Sequence, residues 1–296
     1  MSTDATGAAE RIVAVPVRHW GRVVGAVVVL GLLALLVRAF VNADIHYGVT
    51  GDYLTKHVIL VGLWHTLLIS VLAQALGVAL GIVAAVMRQS RNPVTSGVGW
   101  FYVWLFRGTP LYLQLILWFN LAAIFPTLSL LGLWHADTNN AITPFVAALL
   151  GLGINEGAYM AEIVRAGIAS VDTGQTEAAQ ALGMTQGLTL RRVILPQAMR
   201  VIIPPTGNEF VNMLKSSSLA SVAQYTELLR VTQTEAGQNL ELIPMLFVAA
   251  VWYLVLTSVF SVGQFYLERR YARGSQRELP LTPWQRVRAA LRPGRT

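Results

Sequence analysis

Residues 58–87 contain no Asp, Glu, Lys or Arg. A hydrocarbon core of about 30 Å is crossed by about 20 mainly apolar helical residues, so this single run already exceeds what a bilayer crossing needs. Five further stretches have the same character to a lesser degree: 23–36, 246–265, 144–163, 99–122 and 201–222. Pro204, Pro205, Gly207, Glu209 and Lys215 interrupt the last of these, which is expected to be a broken span. Across the 296 residues, 54% are hydrophobic and 12% charged, a balance that excludes an ordinary soluble domain. The expected fold is an all-α membrane protein, a helical bundle of six transmembrane helices.

Charge placement agrees with that count. With six spans both ends lie on one side of the membrane, and positive charge should collect there. Arg11, Arg18 and Arg22 precede the first span, Arg88 and Arg91 follow the second, and Arg191, Arg192 and Arg200 lie between the fourth and fifth. Arg269, Arg270, Arg273, Arg277, Arg286, Arg288, Arg292 and Arg295 crowd the C-terminal tail. The opposite segments, 42–57, 125–143 and 223–243, offer only Lys56 and Arg230. A multi-pass protein of the inner or plasma membrane with both termini in the cytoplasm is expected. The net charge of +7 is thereby explained as a topology signal, and no nucleic-acid partner is expected. The absence of Cys removes disulfide, Fe–S and thiol chemistry. The first apolar run is long and is closed by Arg38, which favours an uncleaved anchor over a signal peptide.

The chain divides into an N-terminal segment 1–22, an N-terminal helix 23–41, a block of five spans over 55–267 and a basic tail 268–296. No fixed-period repeat is present, unlike large transporters made of duplicated halves. Between the fourth and fifth spans, Asp172 followed by Gln175 reads as a capping-box-like helix start. Glu177, Ala178, Ala179, Gln180, Ala181 and Leu182 are strong helix formers, and Gly183 is a natural stop. A helix of about ten residues is marginal alone in water, so its Ala face and Leu182 should dock against something. A groove in a partner protein is a suitable seat.

The pattern Glu177-Ala178-Ala179, three residues, Gly183, nine residues, then Val193, one residue and Leu195-Pro196 resembles the EAA loop of ABC importer permeases. That family usually has Ile where this chain has Val193. Arg107-Gly108-Thr109-Pro110-Leu111 with Gln114-Leu115 resembles the branch that imports polar amino acids, as does the stretch from Glu209 through Lys215 to Leu219. Ala158-Tyr159, Ala161-Glu162-Ile163 and Arg165 match the same branch. The resemblance spans roughly 55–267 and implies a five-helix permease core, with the N-terminal helix as an addition. It implies that Glu177, Ala178, Ala179, Ala181, Leu182, Gly183, Leu195 and Pro196 couple the chain to ABC ATPase subunits. It also implies an external solute-binding protein, a second permease chain in a homodimer or heterodimer, and import as the direction. ATP and Mg would be bound by the ATPase, with no cofactor on this chain. The residues agree, since neither Lys56 nor Lys215 sits in a phosphate-binding Gly-rich loop.

Ionisable groups at bilayer depth point to function. Counting about 1.5 Å per residue from Pro144 puts Glu156 roughly 18 Å down, beside Asn155. Glu156 is either a pathway group that meets a solute ammonium or a carboxyl held by inter-helix hydrogen bonds. Arg107 precedes a Gly108–Pro110 kink and either meets a substrate carboxylate or, the favoured reading, pins the freed carbonyls. Glu162 and Arg165 read as a local ion pair. Asn208, Asn212 and Lys215 fall on one stripe if the helix resumes after Gly207, with Glu209 turned about 100° away. A pathway lining is preferred for that stripe over a subunit interface. His65 and Gln74 read as inter-helix contacts. The competing function is a gradient-driven secondary transporter or channel using Glu156 and Glu209, which leaves the docking helix unexplained. An intramembrane enzyme lacks support, because no catalytic motif is present and the histidines have no metal-ligand spacing.

Overall fold

A computed structural model describes residues 20–130, 134–271, 285 and 288. Arg11, Arg18 and most of the C-terminal arginines invoked for topology lie outside the described residues. The chain forms two units, Met1–His46 and Tyr47–Thr296. In the first, α1 (Trp20–Val41) is apolar on every side apart from Arg22 and Arg38. Such a helix has no polar face to turn to water.

The second unit opens with α2 (Tyr47–Leu54) and α3 (His57–Arg88), the helix formed by the charge-free run. α4 (Pro93–Gly108) and α5 (Leu111–Phe119) follow, then α6 (Leu121–Ile124) and a small hairpin, β1 (Thr127–Leu130) against β2 (Trp134–Asp137). The hairpin is antiparallel, pairs Thr127 with Asp137, and is the one departure from the all-α expectation among the described residues. After α7 (Thr138–Ala141) comes α8 (Pro144–Ala169). The connecting segment holds α9 (Thr173–Ala181), α10 (Gln186–Thr189) and a π-helical turn, Leu190–Ile194. α11 (Leu195–Ser216), a 3-10 turn (Ser217–Ala223), α12 (Leu228–Asn239) and α13 (Leu242–Tyr271) complete the unit.

The crossing of α3 and α8 organises the bundle. Lipid supplies no hydrophobic drive between helices, so close backbone approach at small residues must supply it. Gly77 on α3 lies against Glu156 and Gly157 of α8, Gly81 against Met160 and Ala161, and Gly153 of α8 against Leu76, with the glycines on each helix spaced by four. A Cβ on Gly157 would stand 2.8 Å from Leu80 Cβ, and one on Gly81 would stand 2.9 Å from the Ala161 nitrogen. Ile69, Ala73, Leu115, Ala148 and Leu152 fill the neighbouring core.

Among the described residues, three helices are long and apolar enough to cross a membrane: Val23–Val41, His57–Arg88 and Leu242–Tyr271. The other expected spans differ for visible reasons. Asn155, Glu156, Glu162 and Arg165 dilute α8. The 99–122 stretch is two helices meeting at an extended Thr109, because the Pro110 ring disfavours a helical conformation in the residue before it. The break expected at Pro204 and Pro205 is absent: α11 runs through both. Each proline removes one backbone hydrogen bond, yet α11 is held along its length by its neighbours. Ala198 and Ile202 are buried, Thr206 Oγ1 donates to Ile202 O at 2.8 Å, and Gln264 Nε2 donates to Pro204 O at 2.6 Å.

Candidate functional site

The segment between α8 and α11 is built as a small presented helix. The Asp172 carboxylate caps α9 by accepting from the Gly174 N–H at 2.7 Å. Gln175 does not complete a capping box; its Oε1 accepts from Gln197 Nε2 at 3.3 Å and ties α9 to α11. At the other end Gly183 takes φ +77, the left-handed region that glycine enters without penalty. There the Met184 N–H reaches Ala179 O at 3.0 Å and the Gly183 N–H reaches Gln180 O at 2.9 Å, a Schellman stop. Both ends are therefore fixed by local chemistry.

Which side the helix shows follows from burial. Ala179 turns inward, 4% exposed. Glu177, Ala178, Ala181 and Gly183 are exposed, and Leu182 is 83% exposed. Leu188 and Leu190 add exposed apolar surface next to it. Leu195 is half-buried and Pro196 exposed, directly after the π turn. Pro196 has no N–H to offer the carbonyl four residues back and would crowd it in a regular α-helix. The wider turn relieves both, with the Leu195 N–H reaching Leu190 O instead.

A second polar group lies within the bundle. Glu156, 6% exposed, accepts from Gln74 Nε2 at 3.2 Å. The charge of Glu209 on α11 reaches it as well. Asn155 Nδ2 donates to Phe106 O at 2.8 Å and to Gln114 Oε1 at 3.2 Å. Gln114 Nε2 donates in turn to Phe106 O, Thr109 O and Thr109 Oγ1. The carbonyls freed at the α4–α5 corner are thus held by Gln114 and Asn155, which replaces the role expected of Arg107. Arg107 instead stands 5.1 Å from the Tyr159 ring centre and 3.8 Å from Glu162. Glu162 also pairs with Arg88 and, at 2.7 Å, with Arg165, so the expected pair is a cluster drawn from three helices.

The corner is a point of high cost if disturbed. Asn155→Leu strands the buried Gln114 oxygen and is expected to destabilise the chain by about 1–3 kcal/mol, read as a lowered thermal midpoint in detergent.

On α11, Asn208 and Lys215 are exposed and Asn212 and Glu209 half-buried, while Val211, Met213 and Leu214 are buried. The stripe therefore faces away from the chain's own core. A cleft of about 340 Å³ opens between α3, α11 and α13, lined by Gln74, Thr206, Gly207, Phe210 and Gln264 among others. Gln74 Oε1 is buried there without a hydrogen-bond partner.

Glu227 has no counterpart in the sequence reading. It is fully buried, accepts from the backbone N–H of Leu229 and Arg230 at 2.8 and 2.7 Å, and takes the Tyr253 hydroxyl. It fastens α12 to α13. Glu is not a favoured capping residue, so the sequence carries little signal for this role.

Residues 77–273 match the family described as the binding-protein-dependent transport system inner membrane component. The arginine transport system permease protein ArgU of Corynebacterium glutamicum is 46% identical over 278 residues, 93% of this chain and 88% of that protein. Coverage that wide cannot leave out the whole N-terminal helix. The glutamine transport system permease protein GlnP of Escherichia coli is 36% identical over 206 residues, 69% of this chain and 89% of its own length. Among solved structures, an amino acid ABC transporter with histidines is similar at a TM-score of 0.64 and 37% identity, covering 72% of this chain and 94% of that one. The MetNI methionine ABC transporter, at 18% identity and a TM-score of 0.58, has a similar fold over 73% of this chain and 97% of its own. The chain belongs to the binding-protein-dependent transport system inner membrane component family, the membrane-embedded permease subunits of ABC importers, and is not itself an enzyme.

Proposed function

We propose that this chain lines half of the solute pathway of an ATP-driven importer of polar amino acids and receives its driving motion through α9. The observation that carries the reading is the outward face of α9. A nine-residue helix capped at both ends shows Ala178, Ala181 and Leu182 to the exterior, although a helix of this length is marginal without a seat. Small side chains let a partner's groove come close, and Leu182 supplies an apolar anchor. The partner is an ABC ATPase subunit that binds ATP and Mg. Glu177, Ala178, Ala181, Leu182 and Gly183 form the contact, Ala179 turns inward beneath them, and Leu195 and Pro196 open the helix α11 that receives the motion.

Six spans, both ends cytoplasmic and a core over 55–267 complete the arrangement, with α4 and α5 together as one crossing. An outer solute-binding protein delivers the amino acid. A second permease chain, identical or similar, closes the pathway, and the Asn208, Asn212 and Lys215 stripe with Arg107 faces that shared space. The cleft beside Gln74 is where the solute's ammonium approaches Glu156, with Glu209 adding negative charge. The amino acid class is supported by the names of the similar permeases, for arginine, cystine and glutamine.

Reconstitution in vesicles with the ATPase subunit and the binding protein tests the reading. Uptake of labelled amino acid should require all three components and ATP. Uptake by the chain alone, driven by an ion gradient, would assign Glu156 and Glu209 to a secondary transporter instead.

A further inference from the structure

α2, α12 and the opening turns of α3 and α13 share a hydrophobic cluster of their own, with Ile59, Leu228, Val231 and Met245 at its centre and Tyr53 packed against them. Hydrogen bonds close its rim: Trp252 Nε1 donates to Leu54 O at 2.9 Å, and Thr50 Oγ1 donates to Pro244 O at 3.2 Å. The backbone on either side of α12 passes through Gln224 and Leu240, both at positive φ (61 and 57). A side chain is strained in that region, so α12 joins its neighbours through turns that have to be held.

The holding falls to Glu227. Its enclosed carboxyl meets the backbone N–H groups of Leu229 and Arg230 on α12, the Tyr253 hydroxyl on α13 and the Thr66 hydroxyl on α3. Thr66 Oγ1 also accepts from the Leu228 N–H at 3.0 Å. Among the described residues no cation pairs with this carboxyl. Arg230 turns its guanidinium to Gln224 Oε1, and the His65 ring on α3 is taken up by Thr226 O at 2.9 Å. Tyr225 and Ser217, also near, carry only hydroxyls.

A carboxylate buried without a counter-charge is costly, and a proton removes that cost. The surroundings accommodate one. In the contact between Glu227 and Tyr253 either oxygen can own the hydrogen. When the carboxyl donates to the Tyr253 oxygen, the tyrosine's own hydrogen turns to the hydroxyl of Thr66 or Ser217. Glu227 lies in the 223–243 segment, outside the spans. Burial pushes its carboxyl up to about 7, against the pull of hydrogen bonds from Tyr253, Leu229, Arg230 and Thr66.

We propose that Glu227 is a proton-held latch: with a proton on its carboxyl it locks the start of α12 onto α3 and α13, and loss of that proton to solvent frees α12. The locked state holds the proton more tightly than an open, hydrated carboxyl does, so the lock is firm below pH 7 and weakens as the pH rises through it. α12 connects α11 to α13, and both border the cleft beside Gln74, so its release reaches the walls of that cleft.

Hydrogen–deuterium exchange of the full chain in lipid nanodiscs tests the latch. It needs neither the ATPase nor the binding protein, so its outcome stands apart from the reading of the chain as an importer. Protection factors over residues 228–239, corrected for the intrinsic pH dependence of exchange, should fall about tenfold between pH 6 and pH 8. That is the ratio given by a carboxyl at about 7 when locked and near 4.5 when open. Residues 69–85 of α3 should not respond. Glu227→Gln, which cannot ionise, should show no fall and keep the wild-type protection of pH 6, while Glu235→Gln on the same helix should behave as wild type. If the glutamine variant does not accumulate, Glu227→Asp draws the carboxyl back from Tyr253 and should move the midpoint of the fall. A flat profile in wild type, the same fall in Glu227→Gln, or an unmoved midpoint in Glu227→Asp would overturn the proposal.

Discussion

Replacing Ala178 by Trp is expected to leave the chain folded and membrane-inserted while cutting ATP-driven uptake by about a hundredfold. Ala178 is exposed on α9, so within this chain a larger side chain meets open space. Against a groove shaped for a methyl group, the indole would cost up to about 3 kcal/mol of docking energy, and each 1.4 kcal/mol is about tenfold in an equilibrium. The measurement pairs uptake in vesicles with co-purification of the ATPase subunit. Both should fall together while the permease stays monodisperse. Gly183→Ala is a poorer probe, because φ +77 strains any side chain there by about 1–2 kcal/mol with or without a partner.

The second large effect concerns the α3–α8 crossing. Gly81→Leu and Gly157→Leu should each abolish accumulation of folded protein. At both sites even a Cβ would come under 3.0 Å of a neighbouring backbone or β-carbon atom, so the helices must separate to admit a side chain. Forced separation across the main contact of the bundle costs several kcal/mol, a large share of a total stability of about 5–15 kcal/mol. Gly97→Leu is the control, since its Cβ meets nothing within 4 Å and the change should be near neutral or mildly stabilising. Size-exclusion profiles of fluorescently tagged variants distinguish these outcomes.

These two sites also mark what the sequence makes legible. The start and stop of α9 are written in single residues, Asp172 and Gly183, because each acts through its own backbone neighbourhood. The class of the fold is equally plain in the charge-free run that becomes α3. The crossing glycines are legible in principle, as four-spaced pairs within apolar stretches, but their partner helix is a matter of tertiary structure. The unbroken course of α11 through Pro204 and Pro205 is not legible, since the contacts along it include Gln264, which lies 60 residues from Pro204. The holding of the α4–α5 corner by Gln114 and Asn155, in place of Arg107, likewise depends on α8 lying alongside. Glu227 shows the same limit from the other side: a helix cap and two neighbouring helices share one carboxylate, and nothing local announces it.

The central claim is that α9 presents its outward face to a nucleotide-hydrolysing partner. The chain has no cysteine, so single cysteines can be placed without background. Ala178→Cys, Ala179→Cys and Leu182→Cys, each combined with cysteines along the candidate groove of the ATPase subunit, should be tested for disulfide formation in the assembled transporter. Crosslinks from positions 178 and 182, with none from the buried position 179, are the predicted result. Crosslinks from none of the three, or labelling of position 178 by an impermeant reagent added outside the cell, would contradict the account.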